Sequence, residues 1–365
     1  MFPDYQNNII NISATLSKFL GVPTQHATFN VLEEELSKNY KNVVFICFDG
    51  LGIHPLNINL EPTAFLQKHL KLKLTSVFPA TTTNATTTLT SATTPSEHGM
   101  FAWCLYFKEL DKVIDVYVNR DHYTHEAIDP QFIKERLPHD NYFDKSTSGY
   151  NINSVYPPYG EGSKFNNYRF QTIEEQFKHL SNICQKEGKQ FIYSYAPYPD
   201  NIMHDYGVTS PQAKTIIEEI NQRVEQFAKD HKDTLLIISA DHGQIDIDDW
   251  ILIYEDQEFL KYLEAPPFGE ARAMFVKIKP NQDEEFLNYV KQEYGNQVEI
   301  FKSQDLIGQG VFGNSTKNSQ LLGDYIIVLT NNKHFVFSPL DNLFKGHHTG
   351  LCKEMLVPLI IIGDK

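Results

Sequence analysis

An acidic and an imidazole side chain stand together in the segment LLIISADHGQ, where Asp241 and His242 follow a short apolar run and precede Gly243. Carboxylate oxygen and imidazole nitrogen are both ligands that zinc-type ions accept, at about 2 Å. The plain alternative is a turn in which Asp241 caps a helix and His242 has no chemical role. Because ligands in open α/β sheets bind at the carboxyl ends of strands, the position after an apolar run favours a metal site.

Similar groups follow other apolar runs. Asp49 ends VVFICFDG, and the segment YSYAPYPDNIMHDYG places Asp200 and His204 four residues apart, on one face if the stretch is helical. His347 and His348 precede the last apolar run of the chain. Taken singly, Asp49 fits a turn, Asp200 fits a helix cap, and one histidine of the pair fits a solvated loop. Their combination favours a metal site.

A cluster of threonines supplies hydroxyl groups. It spans residues 81–94 in SVFPATTTNATTTLTSATTPSEHGM, just after a predicted strand and at a predicted helix start. Helix amino ends attract anions, and a divalent cation bound to a threonine oxygen favours the nucleophilic alkoxide. Threonine is also a good helix cap, so we expect most of these threonines to cap or pack.

The elements that position these groups are short strands between helical segments. Apolar runs rich in Val, Ile and Phe alternate with stretches of helical period, which predicts an α/β fold with a mostly parallel central sheet flanked by helices. A proline suited to a first turn opens the clearest helix, TIIEEINQRVEQFAKD, at Pro211. The predicted strands are 43–48, 74–78, 191–195, 235–239 and 356–362.

Two segments interrupt this scheme. Residues 101–119 alternate like a hairpin and lead into an aromatic stretch through residue 168, which we expect to cover an active site. Residues 249–345 have their own predicted strands, 273–278 and 325–329, and a helix at 284–294. We therefore predict a catalytic core of 1–248 and 346–365 with an inserted, smaller α+β cap at 249–345.

Composition narrows the classes of protein. The 365 residues carry a formal net charge of −14, which opposes broad electrostatic binding to nucleic acid unless a local cation cluster or bound metal reverses the field. The four cysteines are widely spread and predict reduced thiols. The chain starts with neither a basic segment nor an apolar one, and no apolar run approaches the length of a spanning helix. We therefore expect a soluble, cytoplasmic protein with no membrane partner.

With these pieces in order, the chain resembles the alkaline phosphatase superfamily, and most closely its type I phosphodiesterase/nucleotide pyrophosphatase branch. The resemblance rests on FDG at Asp49, the SVFPATTTNATTTLTSATTPSEHG block, PDNIMH from Asp200, SADHGQ at Asp241 and HTGLCKEMLVPL at His348, in the family's order. It implies a parallel sheet with two zinc-type ions at its carboxyl edge and a threonine or serine nucleophile between them.

Carried over residue by residue, the resemblance implies two ligand sets. One ion would be held by Asp200, His204 and His348, and the second by Asp49, Asp241 and His242, completed by the oxygen of the nucleophile. Counting from Glu97-His98-Gly99 to the family's FPxTT pattern implies Thr82 as the nucleophile, with Thr81 and Thr83 as near misses. Zinc suits this ligand set, which also tolerates manganese or iron.

One departure from the family concerns substrate contacts. Nucleotide pyrophosphatases carry an asparagine shortly after the P-x-S-H-G segment, whereas the corresponding stretch HGMFAWCLYF has Trp103. Either another donor contacts the phosphate or the substrate differs. Asn84, two positions beyond the predicted nucleophile, is the candidate donor.

The resemblance implies hydrolysis of a small phosphate ester, such as a nucleotide, by a phosphodiesterase or nucleotide pyrophosphatase acting through phosphothreonine. Three alternatives stay open: a hydrolase of phosphomonoesters, phosphonates or sulfate esters with the same site, an enzyme that transfers the phosphoryl group to an alcohol, and a non-catalytic metal-binding or ligand-binding protein. Tyr156, Tyr159 and Tyr168 either stack on a planar substituent of the substrate or merely pack. The sequence leaves the oligomeric state open.

Overall fold

The computed structural model describes residues 1–160 and 162–364, so Glu161 of the first inserted segment and Lys365 of the predicted core lie outside the described residues. The strands are β1 Asn42–Phe48, β2 Leu70–Thr75, β3 Cys104–Phe107, β4 Lys112–Asp115, β5 Arg120–Asp121, β6 Asn151–Tyr156, β7 Asn166–Arg169, β8 Gln190–Ala196, β9 Thr234–Ser239, β10 Ile245–Asp246, β11 Asp249–Leu252, β12 Phe268–Glu270, β13 Ala273–Val276, β14 Val298–Lys302, β15 Tyr325–Leu329, β16 Lys333–Val336, β17 Gly346–His347 and β18 Leu356–Gly363.

Helices connect most of these strands. The α-helices are α1 Ile9–Phe19, α2 Asn30–Ser37, α3 Ile53–Asn59, α4 Phe65–Lys68, α5 Thr82–Ser91, α6 Pro95–His98, α7 Pro130–Arg136, α8 Ile173–Cys184, α9 Asp200–Tyr206, α10 Pro211–Asp230, α11 Gln257–Leu260, α12 Asp283–Glu293 and α13 Ser303–Gly308. Turns of 3-10 helix span Tyr142–Lys145, Ile253–Glu255, Gly295–Gln297, Ser319–Leu322 and Lys353–Met355.

The larger framework is a seven-stranded sheet in the order β2-β18-β9-β1-β8-β6-β7. Its strands are parallel except for β18, which runs antiparallel to both of its neighbours. Every residue of the central strands β1, β8 and β9 is buried, as expected for parallel strands covered on both faces. The predicted α/β fold with a mostly parallel sheet is therefore confirmed.

Strand β2 differs from its prediction. It was expected at 74–78, but it spans Leu70–Thr75 and alternates apolar and lysine side chains, as an edge strand with one solvated face does. The apolar residues that follow leave the sheet toward α5, where Pro79 could not donate a backbone hydrogen bond to a ladder. The other four predicted strands of this sheet agree with the structure to within one residue.

Helices cover the large sheet. Helix α10 buries Ile217, Ile220, Val224 and Phe227, four of the five apolar positions of its sequence pattern, whereas the fifth, Ile216, is half-buried. The helix packs against α3, α4, α8 and α9. On another part of the core, α1 packs against α2 and α5, which carries the threonine cluster. No helix within residues 1–160 and 162–364 has a stretch long and apolar enough to cross a bilayer.

A second, antiparallel sheet has the order β14-β15-β13-β12-β3-β4-β5. Both interrupting segments contribute to it, since β3, β4 and β5 come from the first and β12 to β15 from the second. The predicted hairpin within 101–119 is β3–β4, and the predicted helix at 284–294 is α12. The second segment therefore does not build this sheet alone, and the division into core and cap stays a prediction.

The hydrophobic interior is divided in the same way. One cluster of buried side chains surrounds the large sheet, and another joins the second sheet to Phe78, Ala80 and Met355. The segment that leads into α5 thus lies between the two clusters. Side chains at this junction reach both the carboxyl edge of the large sheet and the face of the second sheet.

Candidate active site

Three neighbouring strands deliver the acidic side chains. Asp49 follows β1, Asp200 opens α9 after β8, and Asp241 follows β9. Because β9, β1 and β8 are adjacent and parallel, their carboxyl ends meet at one edge of the sheet. His204 lies one turn along α9, and His348 follows the short strand β17. The structure brings together the seven residues that the resemblance predicted, including Thr82 at the start of α5.

Asp200, His204 and His348 form the first ligand group. One ligand atom from each lies within 4.8 Å of the others. The Nε2 atom of His204 is 3.2 Å from Oδ2 of Asp200. The neighbouring His347 lines the same cavity, but its Nδ1 accepts the backbone N–H of His348 at 2.9 Å, and it is not part of this group.

Asp49, Asp241, His242 and Thr82, the set predicted for the second ion, lie together and are called the second ligand group. Nε2 of His242 lies 3.2 Å from Oδ1 of Asp49 and 3.6 Å from Oδ2 of Asp241. The Thr82 hydroxyl lies 3.3 Å from Oδ2 of Asp49 and 3.3 Å from Nε2 of His242.

The two groups are adjacent. The imidazole rings of His242 and His348 stack with their centroids 3.8 Å apart, and ligand atoms of Asp49, Asp200 and His242 lie within 4.8 Å of one another.

The histidines of both groups share one hydrogen-bond arrangement. The Nδ1 atoms of His204, His242 and His348 lie 2.8, 3.0 and 3.0 Å from the backbone carbonyls of Gly346, Gly243 and Ala80. A carbonyl only accepts, so each Nδ1 carries the proton and the lone pair is left on Nε2. Imidazoles that bind metals are commonly held in this way. The arrangement therefore directs three nitrogen lone pairs toward three carboxylates.

The donor set fits two divalent cations of the zinc type. It consists of buried or half-buried carboxylates and imidazoles, and Oδ2 of Asp241 is fully buried without a hydrogen-bond partner. An unpartnered buried carboxylate oxygen is costly unless a cation or proton binds it. Oδ1 of Asp241 accepts the backbone N–H of Gly50 at 3.1 Å, which leaves Oδ2 directed into the site.

The pKa shifts of the buried side chains also indicate that the site favours positive charge. Burial disfavours a charged imidazole, but the carboxylates of Asp241 and Asp49 outweigh it and raise the pKa of His242 to about 10. Burial, together with the neighbouring Asp49, raises the pKa of Asp241 well above its ordinary value. Burial also lowers the pKa of His348 well below its ordinary value, so that ring is neutral and able to act as a ligand. Without bound metal ions, His242 and Asp241 therefore tend to hold protons.

Thr82 differs from the other threonines of α5. The hydroxyls of Thr86 and Thr87 donate to the backbone carbonyls four residues earlier, at 2.6 and 2.7 Å, and are occupied within the helix. Thr81 and Thr83 are buried, whereas Thr82 is partly exposed and its hydroxyl faces Asp49 and His242. As the first residue of a ten-residue helix, Thr82 also lies where free backbone N–H groups attract anions.

A cavity of about 330 Å³ opens between this cluster and the second sheet. Thr82 and His204 line it on one side, and Trp103, Arg120 and Glu270 on the other. The carboxylate of Glu270 accepts the backbone N–H of Trp103 at 2.6 Å, and burial raises its pKa to about 7. The sequence indicated Trp103, but it gave no signal for Glu270.

Asn84 is the predicted contact that the structure does not support. Its side chain is fully buried, its amide donates to the backbone carbonyl of Pro79 at 3.0 Å, and it does not line the cavity. Asn84 lies two residues beyond Thr82 on α5, about 200° of rotation, so its side chain faces away from the open side of the site. We therefore no longer assign a phosphate contact to Asn84.

A second cavity of about 330 Å³ lies on the other side of α5. Thr86, Tyr117, Tyr156 and Tyr195 line it, and the Tyr195 hydroxyl donates to Oδ2 of Asp49. The first tyrosine that sequence reasoning proposed, Tyr156, thus faces a cavity next to the site. Tyr159 is exposed and Tyr168 packs against His179 and Lys186, and neither lines this cavity.

A family model described as Type I phosphodiesterase / nucleotide pyrophosphatase matches residues 43–350. A search of the curated proteins finds no match to the chain.

Several solved structures are similar. Murine ectonucleotide pyrophosphatase / phosphodiesterase 5 is 16% identical, with a TM-score of 0.64 over 88% of each chain. An inactive form of that protein in complex with AMP is 16% identical, with a TM-score of 0.61 over 88% of this chain and 87% of that one. Phosphonoacetate hydrolase from Sinorhizobium meliloti in complex with phosphonoformate is 14% identical, with a TM-score of 0.64 over 88% and 89%. At these identities the likeness shows a shared fold.

Proposed function

Because the chain belongs to the type I phosphodiesterase/nucleotide pyrophosphatase family of the alkaline phosphatase superfamily, we propose that it is a metal-dependent hydrolase of small phosphate diesters or pyrophosphates, with Thr82 as nucleophile. The observation that carries the proposal is the position of the Thr82 hydroxyl, 3.3 Å from both Asp49 and His242, on a residue that lines the same cavity as Asp200, His204 and His348. Asp200, His204 and His348 would hold one ion, and Asp49, Asp241 and His242 the other. Zinc suits these ligands, and manganese or iron also fits them.

The two ions, when bound, neutralise charge on the phosphoryl group and favour the alkoxide form of a hydroxyl. In the first step the Thr82 oxygen forms a bond to phosphorus while the bond to the leaving oxygen breaks. The Thr82 proton passes to Oδ2 of Asp49, 3.3 Å away, and from there to the leaving oxygen. In the second step one water displaces the Thr82 oxygen, which regains a proton. The products are the leaving alcohol or phosphate and a phosphomonoester, with one water consumed.

Backbone groups of α5 support the same chemistry. The first N–H groups of a helix have no partner within the helix, and they lie beside Thr82. They stabilise negative charge that develops on the non-bridging oxygens. This local field opposes the net charge of −14 of the whole chain, which would otherwise repel an anionic substrate.

Two observations favour diesters over monoesters. Thr82 lines the first cavity and Thr86, one turn later on α5, lines the second, so each cavity can take one of the two substituents on the phosphorus of a diester. Tyr156 and Tyr195 in the second cavity suit a planar substituent such as a base. The similar murine protein was solved with AMP, which supports a nucleotide as the model substrate.

A phosphonate or phosphomonoester hydrolase is the second candidate. It is favoured by Trp103, which stands where the nucleotide pyrophosphatases typically carry asparagine, and by the similar phosphonoacetate hydrolase. Transfer to an acceptor alcohol and non-catalytic metal binding stay as further alternatives. A cytoplasmic location is part of the proposal.

The test combines metal analysis with a panel of chromogenic phosphodiesters, phosphomonoesters, phosphonates and sulfate esters. We expect two equivalents of divalent metal and fastest turnover of a diester. Thr82→Ala should lower kcat at least about 10³-fold while it keeps both metals and the unfolding temperature.

Thr81→Val and Thr83→Val are matched controls, because they remove neighbouring hydroxyls without changing side-chain shape. Both should keep kcat within a few-fold of the wild type. Unchanged turnover in Thr82→Ala, or fewer than two equivalents of metal at saturation, would contradict the proposed function.

A further inference from the structure

One row of residues crosses four strands of the second sheet and forms a wall of the cavity next to Thr82. The register pairs Gly269 with Cys104, Cys104 with Asp115, and Asp115 with Arg120. Residues paired across strands point to the same face of a sheet, and all four line the cavity. At the spacing of neighbouring strands, the row spans roughly 14 Å. The small residues Gly269 and Cys104 leave room along it, and Arg120 is at its far end.

A buried carboxylate fixes the Arg120 guanidinium. Nε of Arg120 donates to Oδ2 of Asp115 at 2.8 Å, and the other oxygen of Asp115 binds Nδ1 of His122 at 2.7 Å. Asp115 is fully buried, so its carboxylate holds Arg120 and His122 from the protein side and does not face solvent. His122 also faces Asp341 at 3.4 Å. The network leaves Arg120 little freedom to turn away from the cavity.

The outer part of the guanidinium is available to a ligand. The Arg120 side chain is 40% exposed, and its two terminal amino groups have no hydrogen bond within the described part of the chain. The two terminal amino groups of a guanidinium can donate two parallel hydrogen bonds to one carboxylate or phosphate, which a lysine ammonium does less well. Asp341, the other nearby acid, is already bound by the backbone N–H groups of Phe337 and Ser338.

The same cluster is poorly suited to a metal ion. Ligand atoms of Cys104, Asp115 and His122 lie within 4.8 Å of one another. However, both oxygens of Asp115 are occupied by Arg120 and His122, and the Cys104 thiol donates to the Gly269 carbonyl at 3.5 Å. Burial raises the pKa of the Cys104 thiol well above its ordinary value, so a thiolate is disfavoured. The cluster positions Arg120 instead.

We propose that Arg120 binds a second anionic group, a carboxylate or a phosphate, on the substituent of phosphorus that occupies this cavity. The inference rests on the proposed function and narrows its substrate class to phosphate esters that are anionic at two separated points. Arg120 is then a specificity-determining residue. A neutral substituent of the same length should bind less tightly, because it leaves the guanidinium without a partner.

The experiment measures binding to the metal-loaded protein by calorimetry. The probes are ω-phosphonocarboxylates and α,ω-bisphosphonates with chains of two to six carbons, each compared with the alkylphosphonate of equal length. At the best length, the doubly anionic probe should bind at least about 10-fold more tightly than its neutral counterpart. The two probe series distinguish a carboxylate from a phosphate as the preferred second group.

Variants assign the preference to Arg120. Arg120→Ala should bind the doubly anionic and the neutral probes equally. Arg120→Lys should keep part of the preference for the doubly anionic probe, and it tests the role of the charge even if the alanine variant folds poorly. Arg136→Ala is a matched control, because Arg136 pairs through Nε with Glu109 at 2.9 Å but does not line the cavity. It should behave as the wild type.

The outcomes separate the two proposals. If neutral and doubly anionic probes bind equally to the wild type, or if the preference survives in Arg120→Ala, the Arg120 subsite is wrong and the proposed function stands. If no phosphonate of either kind binds to the metal-loaded wild type, the proposed function fails and the subsite fails with it.

Discussion

The side chain of Asp241 is the most informative single residue of the candidate site. One of its oxygens is held by the backbone N–H groups of Gly50 and His242, and the other is buried without a partner. Burial and the nearby Asp49 raise its pKa well above the ordinary value, so the charged form destabilises the metal-free fold. The same charge is needed to bind a cation. Stability and metal binding therefore depend on Asp241 in opposite directions.

We predict that Asp241→Asn is more stable than the wild type without metal and less stable than the wild type with metal bound. Without metal at pH 7.5, the variant should unfold at a higher temperature than the wild type, because a carboxyl group with a raised pKa no longer has to be neutralised. With saturating zinc, the wild type should be the more stable of the two. Thermal unfolding with and without metal gives both values, and metal analysis should show the loss of one of two ions.

Asp248→Asn is the control for this prediction, since Asp248 is exposed on the segment that follows the site. It should leave both stabilities unchanged. A metal-free Asp241→Asn protein that is clearly less stable than the metal-free wild type would show that Asp241 serves the fold rather than a cation.

At the scale of single elements, the large sheet was largely predictable and the second sheet was not. Strands β1, β8 and β9 are continuous apolar runs, and each ends at a residue that can bind a metal, so Asp49, Asp200 and Asp241 were evident from local sequence. The shift in β2 arose because an edge strand alternates, whereas a run of apolar residues was expected. Asn84 was misplaced because its position on the helix surface was not considered.

The second sheet escaped prediction because its strands pair across long separations. Gly269 of β12 pairs with Cys104 of β3, and only this pairing brings Glu270 and Arg120 into the same cavity. Local pattern reasoning finds hairpins such as β3–β4, but it cannot find a partner more than a hundred residues away. The segment RDHYTHE, which includes Arg120 and His122, has no local pattern that assigns it a position in the fold.

The loop that follows β5 gives a prediction about pH. Burial lowers the pKa of His122, but the hydrogen bond with Asp115 and the nearby carboxylate of Asp341 outweigh this effect and raise the pKa to about 9. A pKa raised above the unfolded value of about 6.5 means that charged His122 stabilises the fold below pH 6.5. This stabilisation is lost as pH rises through 9.

We therefore expect the difference in unfolding free energy between the wild type and His122→Gln to depend on pH. The pH-dependent contribution to this free-energy difference should be about 3 kcal/mol at pH 6 and should fall toward zero above pH 9.5. Denaturant unfolding at several pH values measures it, with the exposed His125→Gln as a control. A difference that stays constant over this range would mean that His122 is not charged in the folded protein.

At the scale of the whole molecule, one buried ion pair connects the second sheet to the candidate site. Arg272, between β12 and β13, is fully buried and its Nε lies 3.1 Å from Oε1 of Glu354. The Glu354 carboxylate also accepts the backbone N–H of Gly350, at 3.1 Å, and the Glu354 backbone carbonyl accepts the backbone N–H of Gly243, at 2.7 Å. These two glycines directly follow the segments of His242 and His348. The Arg272–Glu354 ion pair thus links the position of the second sheet to both ligand groups.

Breaking this pair should disturb stability and metal binding together. We predict that Arg272→Met lowers the free energy of unfolding by about 3 to 5 kcal/mol, because the buried carboxylate of Glu354 loses its cationic partner. It should also weaken metal binding, since Glu354 positions the segments after His242 and His348. The double variant Arg272→Met with Glu354→Gln should recover part of the stability, because no unpaired charge remains.

Denaturant unfolding of the two single variants and the double variant gives the coupling energy, and metal titration of the same proteins gives the affinities. Lys333→Met is a suitable control, because Lys333 forms an ion pair with Asp249 on the surface and should change stability by less than about 1 kcal/mol. If Arg272→Met lowers stability but leaves metal affinity unchanged, the second sheet only covers the site. Loss of both would mean that the second sheet helps to build the metal site as well as the cavity beside it.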